Sequence, residues 1–263
     1  MGLCLAFPAV PASAQGTLDF ARQLYNQGRY EQAIAAAARL RTSPTTADGA
    51  NLVLGRAQLE RFRQTADRAD LVAARDALRD VQPDRLTGSD RTQYLVGLGE
   101  WLFLDESYGP AAEVLQGTLD RIGDMGPRAW DRVFDWWATS LERQVQAGNA
   151  DDRDVVYNRI RRRAEAELAR MPGSTAAAYW LVTSLRSLGD LGRAWDAAMA
   201  GWVRARMADD QGVRLRADLD RLVMQAIIPE RARQLASADR DRERAATSLR
   251  ATWDSMKQDW GGR

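Results

Sequence analysis

Small and apolar residues recur along this chain at a fixed spacing that predicts pairs of helices. In three places a small residue or valine is followed by leucine after three positions, a turn residue after four more, tyrosine or leucine after two more, and alanine after three more. The three sets are Ala21, Leu24, Gly28, Tyr30 and Ala33; Gly99, Leu102, Glu106, Tyr108 and Ala111; and Val182, Leu185, Gly189, Leu191 and Ala194. Steps of three and four residues place side chains on one helix face, so each set predicts two helices joined by a tight turn.

Looser versions of this pattern lie between the three sets. In one of them Gly55 takes the position of the small residue, and the following helix carries Leu71 and Leu78 before Pro83 ends it. The polar stretch 61–70 is predicted to be an insertion between the two helices of this copy.

A fourth copy of the pattern is predicted around residues 134–171. Phe134, Trp137 and Leu141 share one helix face, and a long second helix is predicted from about Val155 to Met171. A two-helix unit of this kind cannot bury its apolar face alone. The copies are therefore predicted to stack, and the stack to present a concave surface.

The pattern resembles the tetratricopeptide repeat family. Residues 28–33 (Gly-Arg-Tyr-Glu-Gln-Ala) match the turn and second-helix start of that family, and residues 188–194 are a further match. The resemblance implies a right-handed solenoid of antiparallel helix pairs, with about five repeats over residues 15–207. Capping helices and a charged tail are predicted over residues 208–263, with one amphipathic helix over residues 213–228.

The composition predicts an all-α protein. Hydrophobic residues make up 45% of the 263 and charged residues 28%, as in ordinary folded proteins. Long stretches of Ala, Leu, Arg and Glu favour helix, and no segment alternates apolar and polar residues as a strand would. The net charge is +1, so no overall field draws the chain to nucleic acid.

The N-terminal segment 1–14 is predicted to be a signal peptide. A short apolar run ends in small residues, and cleavage is expected after Ala14. The first arginine is Arg22, so the positively charged start of such a signal is expected to precede Met1. The protein is accordingly predicted to be exported, to the periplasm or an equivalent compartment; a disordered apolar tail is the alternative.

Cleavage after Ala14 would leave a chain with neither cysteine nor histidine. Cys4 is the one cysteine of the sequence, and histidine is absent from it. Disulfides, thiol nucleophiles, imidazole bases and the common zinc ligands would then be excluded. Phosphate-binding glycine loops and dinucleotide motifs are also absent, so no cofactor and no metal is predicted.

Two aspartates among tryptophans are the candidates for catalysis. Asp131 and Asp135 are four residues apart and predicted to share a helix face, next to Trp130, Trp136 and Trp137. Such a pair is compatible with a carboxylate-dependent hydrolase. Ion pairing along the helix with Arg128 and Arg132 is the favoured explanation, so no catalytic residue is predicted.

Other charged and aromatic groups are assigned structural roles. The acidic run 151–154 lacks the glycine and closing glutamate of a calcium-binding loop, and is predicted to begin a helix. Trp195, Met199 and Trp202 form a helical stripe that is predicted to pack in the core. Trp253 and Trp260 are predicted to cap the end of the repeats or to form a contact surface.

The resemblance implies a groove on the inner face of the first helix of each pair. By matching motif positions, the groove is predicted to contain Arg22, Tyr25, Asn26, Arg56, Leu59, Glu100, Phe103, Thr139, Glu142, Arg143, Tyr179, Thr183 and Arg186. We therefore predict a non-catalytic scaffold that binds a segment of a protein or peptide partner. A ligand- or glycan-binding accessory protein of a transport system and a hydrolase on a helical toroid are the alternatives.

Overall fold

The computed structural model describes residues 17–146 and 148–261, and over these residues it is built of helices with no strand. The all-α prediction is confirmed. The predicted signal peptide, residues 1–14, lies outside the described residues. The chain divides into two compact units, the first ending at Ile122 and the second beginning at Gly123.

Over residues 17–122, the first unit contains six α-helices that pack in adjacent pairs. They are α1 (Leu18–Asn26), α2 (Tyr30–Ala38), α3 (Ala47–Thr65), α4 (Arg68–Arg79), α5 (Gly88–Leu104) and α6 (Tyr108–Leu119), with a 3-10 turn at Pro83–Arg85. Helix α1 packs against α2, α3 against α4, and α5 against α6, while α3 also contacts α1 and α5. Helix α3 is therefore central in this unit, and its residues 50–60 are all buried.

The small residues of the pattern let paired helices of the first unit approach closely. A Cβ on Gly55 would lie 2.8 Å from Cγ of Leu78, and one on Gly99 would overlap the side chain of Leu115. Leu78 and Leu115 lie on α4 and α6, the second helices of the two pairs, and both are fully buried. The small position is thus the site where a leucine of the second helix packs against the backbone of the first.

The prediction of a polar insertion over residues 61–70 is wrong. Helix α3 continues to Thr65 and ends at Ala66, whose φ of 57° is left-handed. The Asp67 side chain then accepts a hydrogen bond from the Ala69 amide at the start of α4. Arg61 donates to both carboxylate oxygens of Asp70, and these contacts join the ends of α3 and α4. Residues 61–65, which were predicted to belong to the insertion, are the last residues of α3.

The second unit contains the remaining helices. They are a 3-10 turn at its start (Ile122–Met125), α7 (Pro127–Val145), α8 (Ala150–Arg170), α9 (Thr175–Ser187), α10 (Leu191–Arg204), a 3-10 turn (Ala205–Met207), α11 (Val213–Leu222), a π-helical segment (Val223–Ile227), α12 (Ile228–Leu235) and α13 (Asp239–Trp260). Helix α9 is central here, because it contacts α7, α8, α10 and α11. The Asn149 side chain accepts from the Asp152 amide, which confirms that the acidic run begins a helix.

One turn geometry recurs at the third position of the sequence pattern. Gly28, Glu106 and Gly189 have φ values of 73°, 62° and 76°, all in the left-handed region. In each case the next amide donates to the carbonyl of the leucine of the pattern, with distances of 3.0, 2.9 and 3.0 Å. This closure is the usual end of a helix at a left-handed residue. The predicted tight turns are therefore confirmed, including the one that contains glutamate in place of glycine.

Replacing Glu106 by glycine is expected to raise the free energy of unfolding by about 1 kcal/mol, because glycine adopts this φ without the steric cost of a Cβ. Ala35→Gly is the control, since Ala35 is exposed on α2. A glycine inside a helix should lower the free energy of unfolding by about 1 kcal/mol. Chemical denaturation of the parent and both variants measures the effects. A destabilised Glu106→Gly variant would contradict the proposed strain.

The single amphipathic helix predicted over residues 213–228 is interrupted in the structure. Helix α11 ends at Leu222, and the π-helical segment leads into α12. Pro229 is the cause, because it has no amide proton and its ring excludes a regular helix over the preceding turn. The chain accommodates it with a wider turn, in which the Ile228 amide donates to the carbonyl of Val223.

The charged C-terminal region forms a long helix that covers α10. Helix α13 packs against α10 and α12, and Trp253 is its fully buried residue. The Trp253 ring lies 5.9 Å from that of Trp195 and 5.4 Å from that of Trp202, measured between ring centres. Trp253 is therefore a core residue that attaches α13 to α10, whereas Trp260 is 52% exposed.

Candidate functional site

The first unit carries a small pocket on the first helices of its three pairs. It has a volume of about 70 Å³ and lies on α1, α3 and α5. Its lining residues are Arg22, Tyr25, Asn26, Leu52, Val53, Arg56, Asp90 and Gln93. The structure thus brings four of the predicted groove residues together, namely those at positions 22, 25, 26 and 56. We call this site the first-unit pocket.

The two arginines of the first-unit pocket already have partners within the chain. Arg22 Nη2 donates to Asp90 Oδ2 over 2.7 Å, and Arg56 Nη1 donates to Gln93 Oε1 over 2.9 Å. The Arg56 guanidinium also lies 4.9 Å from the centre of the Tyr25 ring. A partner's carboxylate would therefore have to displace Asp90 from Arg22. Asp90 and Gln93 were missed by the sequence analysis, which assigned only first-helix motif positions to the groove.

The phenol of Tyr25 is held neutral. Burial raises its pKa to about 12, an effect that the charges of Glu100 and Glu60 increase and that of Arg56 opposes. Tyr25 therefore offers a hydroxyl group and a ring face to a partner, and it does not act as an anion at neutral pH.

Two predicted groove residues of the first unit are not accessible. Leu59 is 0% exposed and packs in an apolar cluster with Leu71 and Leu78, so the prediction that it lines a binding groove is wrong. Glu100 is 1% exposed, which excludes it from the surface as well. Both lie on faces of α3 and α5 that neighbouring helices cover. Phe103 is half-buried, and its ring centre lies 6.0 Å from that of Tyr108.

The second unit carries a much larger pocket, of about 860 Å³, which we call the second-unit pocket. It lies on α7, α9 and α11, together with the α8–α9 loop and the turn after α10. Its lining residues are Pro127, Arg128, Asp131, Arg132, Asp135, Met171, Pro172, Gly173, Ser174, Thr175, Ala176, Tyr179, Met207, Ala208, Asp209, Asp210, Arg214, Leu215 and Asp218. Tyr179 is the predicted groove residue among them.

The other predicted groove residues of the second unit lie away from this pocket. Glu142 accepts a hydrogen bond from the Tyr157 hydroxyl over 3.0 Å. Arg186 donates from Nε and Nη2 to the two carboxylate oxygens of Glu230, over 2.9 and 2.6 Å. Both side chains therefore have partners on a neighbouring helix. The remaining three are half-buried Thr139, exposed Arg143 and buried Thr183.

Asp131 holds the start of α9. Its Oδ1 accepts from the Ser174 hydroxyl over 2.6 Å, and its Oδ2 accepts from the Thr175 amide over 3.0 Å and the Thr175 hydroxyl over 2.7 Å. The prediction that Asp131 pairs with arginines of its own helix is therefore wrong. Arg128 instead forms an ion pair with Asp209. The carboxylate occupies the N-terminal end of a helix, where negative charge is favourable.

Asp135 lies one turn further along α7 and faces the same pocket. Its Oδ1 accepts from the Trp180 indole Nε1 over 2.9 Å. Burial raises the pKa of Asp135, and the charges of Asp131 and Asp218 raise it further, while the indole hydrogen bond lowers it. Among the residues that the structure describes, no ion pair is formed by this carboxylate. The sequence analysis gave Asp135 no functional role, although its spacing from Asp131 indicated a shared face.

The charge of Asp135 is expected to destabilise the folded protein. Because its pKa is raised on folding, the favourable protonated form is lost as the pH rises through the folded pKa. Asp135→Asn keeps an acceptor for Trp180 without the charge, so its unfolding temperature should exceed that of the parent at neutral pH. The difference should shrink as the pH falls toward 3.8, the ordinary pKa of this group. Thermal unfolding of both proteins across this pH range measures it, and a pH-independent difference would contradict it.

Most of the tryptophans are core residues. Trp130, Trp136, Trp137, Trp180, Trp195 and Trp253 are all buried, and no tryptophan lines either of the two pockets. The predicted core packing of the Trp195 stripe is confirmed at Trp195, which contacts Trp253 as described above. A stacking platform of tryptophans, as glycan binding would use, is therefore not found at these pockets.

Comparisons with known proteins identify no family. No model of a known protein family matches the chain, and no curated protein matches it either. Within residues 17–146 and 148–261, no group of three or more potential metal ligands occurs. Over the same residues, no helix combines the length and apolar character that crossing a bilayer requires. The function therefore has to be inferred from the two pockets.

Proposed function

We propose that this protein is an exported, non-catalytic scaffold that binds a segment of a partner protein on the first helices of its helix pairs. One observation carries the proposal. The first-unit pocket lies on the first helices α1, α3 and α5 of its pairs, and the second-unit pocket includes the first helices α7 and α9 together with α11 and two connecting segments. Stacked first helices that share a concave face are the common means by which helical-repeat proteins bind extended segments.

The helix pairs are proposed to be tetratricopeptide-type repeats. Three pairs belong to the first unit and two to the second, each unit with right-handed stacking. The recurrent left-handed turn at Gly28, Glu106 and Gly189 supports this assignment, as does the small residue that faces a leucine at Gly55 and Gly99. Helices α11 to α13 are proposed to cap the last pair.

A hydrolytic function is less well supported than binding. The hydrolase alternative needs two carboxylates with complementary roles, one of them Asp131. Both oxygens of Asp131 accept hydrogen bonds from the start of α9, so this group is engaged in holding the fold. Past residue 14 the chain contains no cysteine and no histidine that could replace it.

Binding of a small ligand, as an accessory protein of a transport system, is the second candidate. The volume of the second-unit pocket, about 860 Å³, favours it, because drug-sized ligands occupy pockets of roughly 300 to 1,000 Å³. The scaffold function is preferred because it also gives a role to the first-unit pocket, whose volume of about 70 Å³ is too small for such a ligand.

Export is tested by the mass of the mature protein. Cleavage after Ala14 should yield a chain that begins at Gln15 and is recovered from the cell envelope. Fractionation with intact-mass measurement detects it, and an uncleaved chain in the cytosol would contradict export.

The binding face is tested by affinity capture from cell-envelope extract with residues 15–263 as bait. A face variant, Asn26→Lys with Met207→Lys, adds two charges at the exposed edges of the two pockets. A control variant, Val72→Lys with Val155→Lys, adds the same charges at exposed positions on the second helices α4 and α8.

A partner bound by the parent and the control, and lost by the face variant, is the expected result. Equal capture by all three proteins, or capture by none of them, would overturn the proposal. Circular dichroism confirms that both variants keep the helical fold.

A further inference from the structure

The second-unit pocket has walls suited to an aliphatic chain. Pro127, Met171, Pro172, Met207 and Leu215 contribute apolar surface, and Met207 is 62% exposed at the pocket. A long side chain with a charged end can lie along such walls and keep its polar group at the carboxylates.

Five aspartates and three arginines line this pocket, and three of the aspartates already have partners within the chain. Asp131 holds the start of α9, and Asp209 pairs with Arg128. Asp210 accepts from the amides of Gly212 and Arg214, over 2.8 and 3.2 Å. These three carboxylates therefore have local structural partners.

Asp135 and Asp218 are left with capacity for a further partner. Asp135 accepts only the Trp180 indole hydrogen bond among the described residues. Asp218 pairs with Arg221 over 3.2 Å, but both of these side chains are about half exposed or more, so this contact is weak. Asp135 on α7, Asp218 on α11 and Tyr179 on α9 all line the second-unit pocket. Burial raises the pKa of the Tyr179 phenol, and the charges of Asp218 and Asp135 raise it further.

An aspartate at position 135 is not required by the fold. Asparagine would offer Trp180 the same acceptor, so this hydrogen bond does not account for the charge. A charged group in a pocket that the fold does not require is a candidate for a functional role.

We propose that the second-unit pocket binds a lysine or arginine side chain of the partner segment, with its cationic group at Asp135 and Asp218 beside Tyr179. This inference rests on the proposed scaffold function and specifies the chemistry of its partner. A cation there would pair with both carboxylates, while its aliphatic stem contacts the apolar walls. The partner segment therefore carries a basic residue flanked by apolar ones.

The occupant is inferred to be part of a polypeptide. A metal ion is disfavoured, because no group of three potential ligands occurs among the residues that the structure describes. A free small cation would leave most of the 860 Å³ and its apolar walls without contacts. A segment that continues on both sides of its basic residue would fill them.

The test uses the full chain labelled with ¹⁵N and three acetylated heptapeptides of leucine and serine. The peptides differ only at the central residue, which is arginine, citrulline or glutamate. The Trp180 indole signal reports binding directly, since its N–H donates to Asp135. Free arginine amide and spermidine serve as small-cation probes. Asp135→Asn and Asp218→Asn are compared with Asp196→Asn, an exposed aspartate on α10.

The arginine peptide is expected to shift the Trp180 signal and to bind at least about tenfold more tightly than the citrulline and glutamate peptides. Asp135→Asn and Asp218→Asn should each weaken it about tenfold or more, whereas Asp196→Asn should not change it. Thermal unfolding measures whether the variants are folded. Asp135→Asn is expected to be folded, because it is predicted to be more stable than the parent.

Equal binding of the arginine and citrulline peptides, retention of affinity by Asp135→Asn, or no binding of any peptide would overturn the inference. Free arginine amide or spermidine binding as tightly as the peptide would overturn the assignment to a polypeptide. The scaffold proposal is tested separately, and it would fail if the face variant captured partners as well as the control variant does. A captured partner that shows no requirement for Asp135 would leave the scaffold proposal standing and reject the cation site.

Discussion

Replacing Trp253 by alanine is expected to lower the free energy of unfolding of the second unit by about 3 to 5 kcal/mol. The indole is fully buried between α13 and α10, against Trp195 and Trp202. Its Nε1 also donates to Asp220 Oδ1 over 2.8 Å, which ties α13 to α11. The truncation would leave a large cavity and remove this hydrogen bond, so α13 loses its aromatic packing against α10.

Trp260→Ala is the matched control for that prediction, because the two tryptophans lie on the same helix and Trp260 is 52% exposed. Its effect should stay within about 0.5 kcal/mol. Urea denaturation gives the free energies, and hydrogen exchange should show early opening of α13 in Trp253→Ala. Equal effects of the two substitutions would show that Trp253 does not anchor this helix.

Replacing Asp131 by alanine is expected to destabilise the protein by about 2 to 3 kcal/mol, since three hydrogen bonds to a charged acceptor are lost. The Ser174 hydroxyl would still accept from the Ala177 amide, over 3.2 Å, so part of the cap of α9 remains. Asp131→Asn should show an intermediate loss, because its amide oxygen can replace only one of the two carboxylate oxygens.

Asp196→Ala serves as the control for Asp131, because Asp196 is an exposed aspartate inside α10. Its effect should lie within about 0.5 kcal/mol of zero. Thermal or urea denaturation compares the variants. If Asp131→Ala were as stable as Asp196→Ala, the carboxylate would have no structural role, and the hydrolase alternative would regain its second acid.

The site was only partly predictable. Arg22, Tyr25, Asn26 and Arg56 were assigned from motif positions, and they do meet in one pocket. Leu59 was assigned by the same rule but is buried, because the motif gives the helix position and not the coverage of that face by neighbouring helices.

In the second-unit pocket, too, positions along one helix do not predict the role of a residue. Asp131 and Asp135 have the same residue type and lie on one helix face, yet they differ in role. Asp131 is satisfied by the start of α9, whereas Asp135 accepts only from the indole of Trp180 within the part of the chain that the structure describes. The difference is made by residues more than 40 positions away, at Thr175 and Trp180. A spacing rule within one helix contains no information about them.

Local features of the amino-acid sequence account for the helices and for many of their ends. Apolar spacing, capping side chains such as Thr17 and Asn149, and the left-handed turn residues act over a few residues, so they are visible locally. Which polar groups have partners, and which face a pocket, depends on how the helices pack. Arg22 meets Asp90, Arg186 meets Glu230, and Asp135 is left without an ion pair among the described residues. Burial and charge pairing depend on side chains brought together from distant positions, which is why these properties required the folded chain.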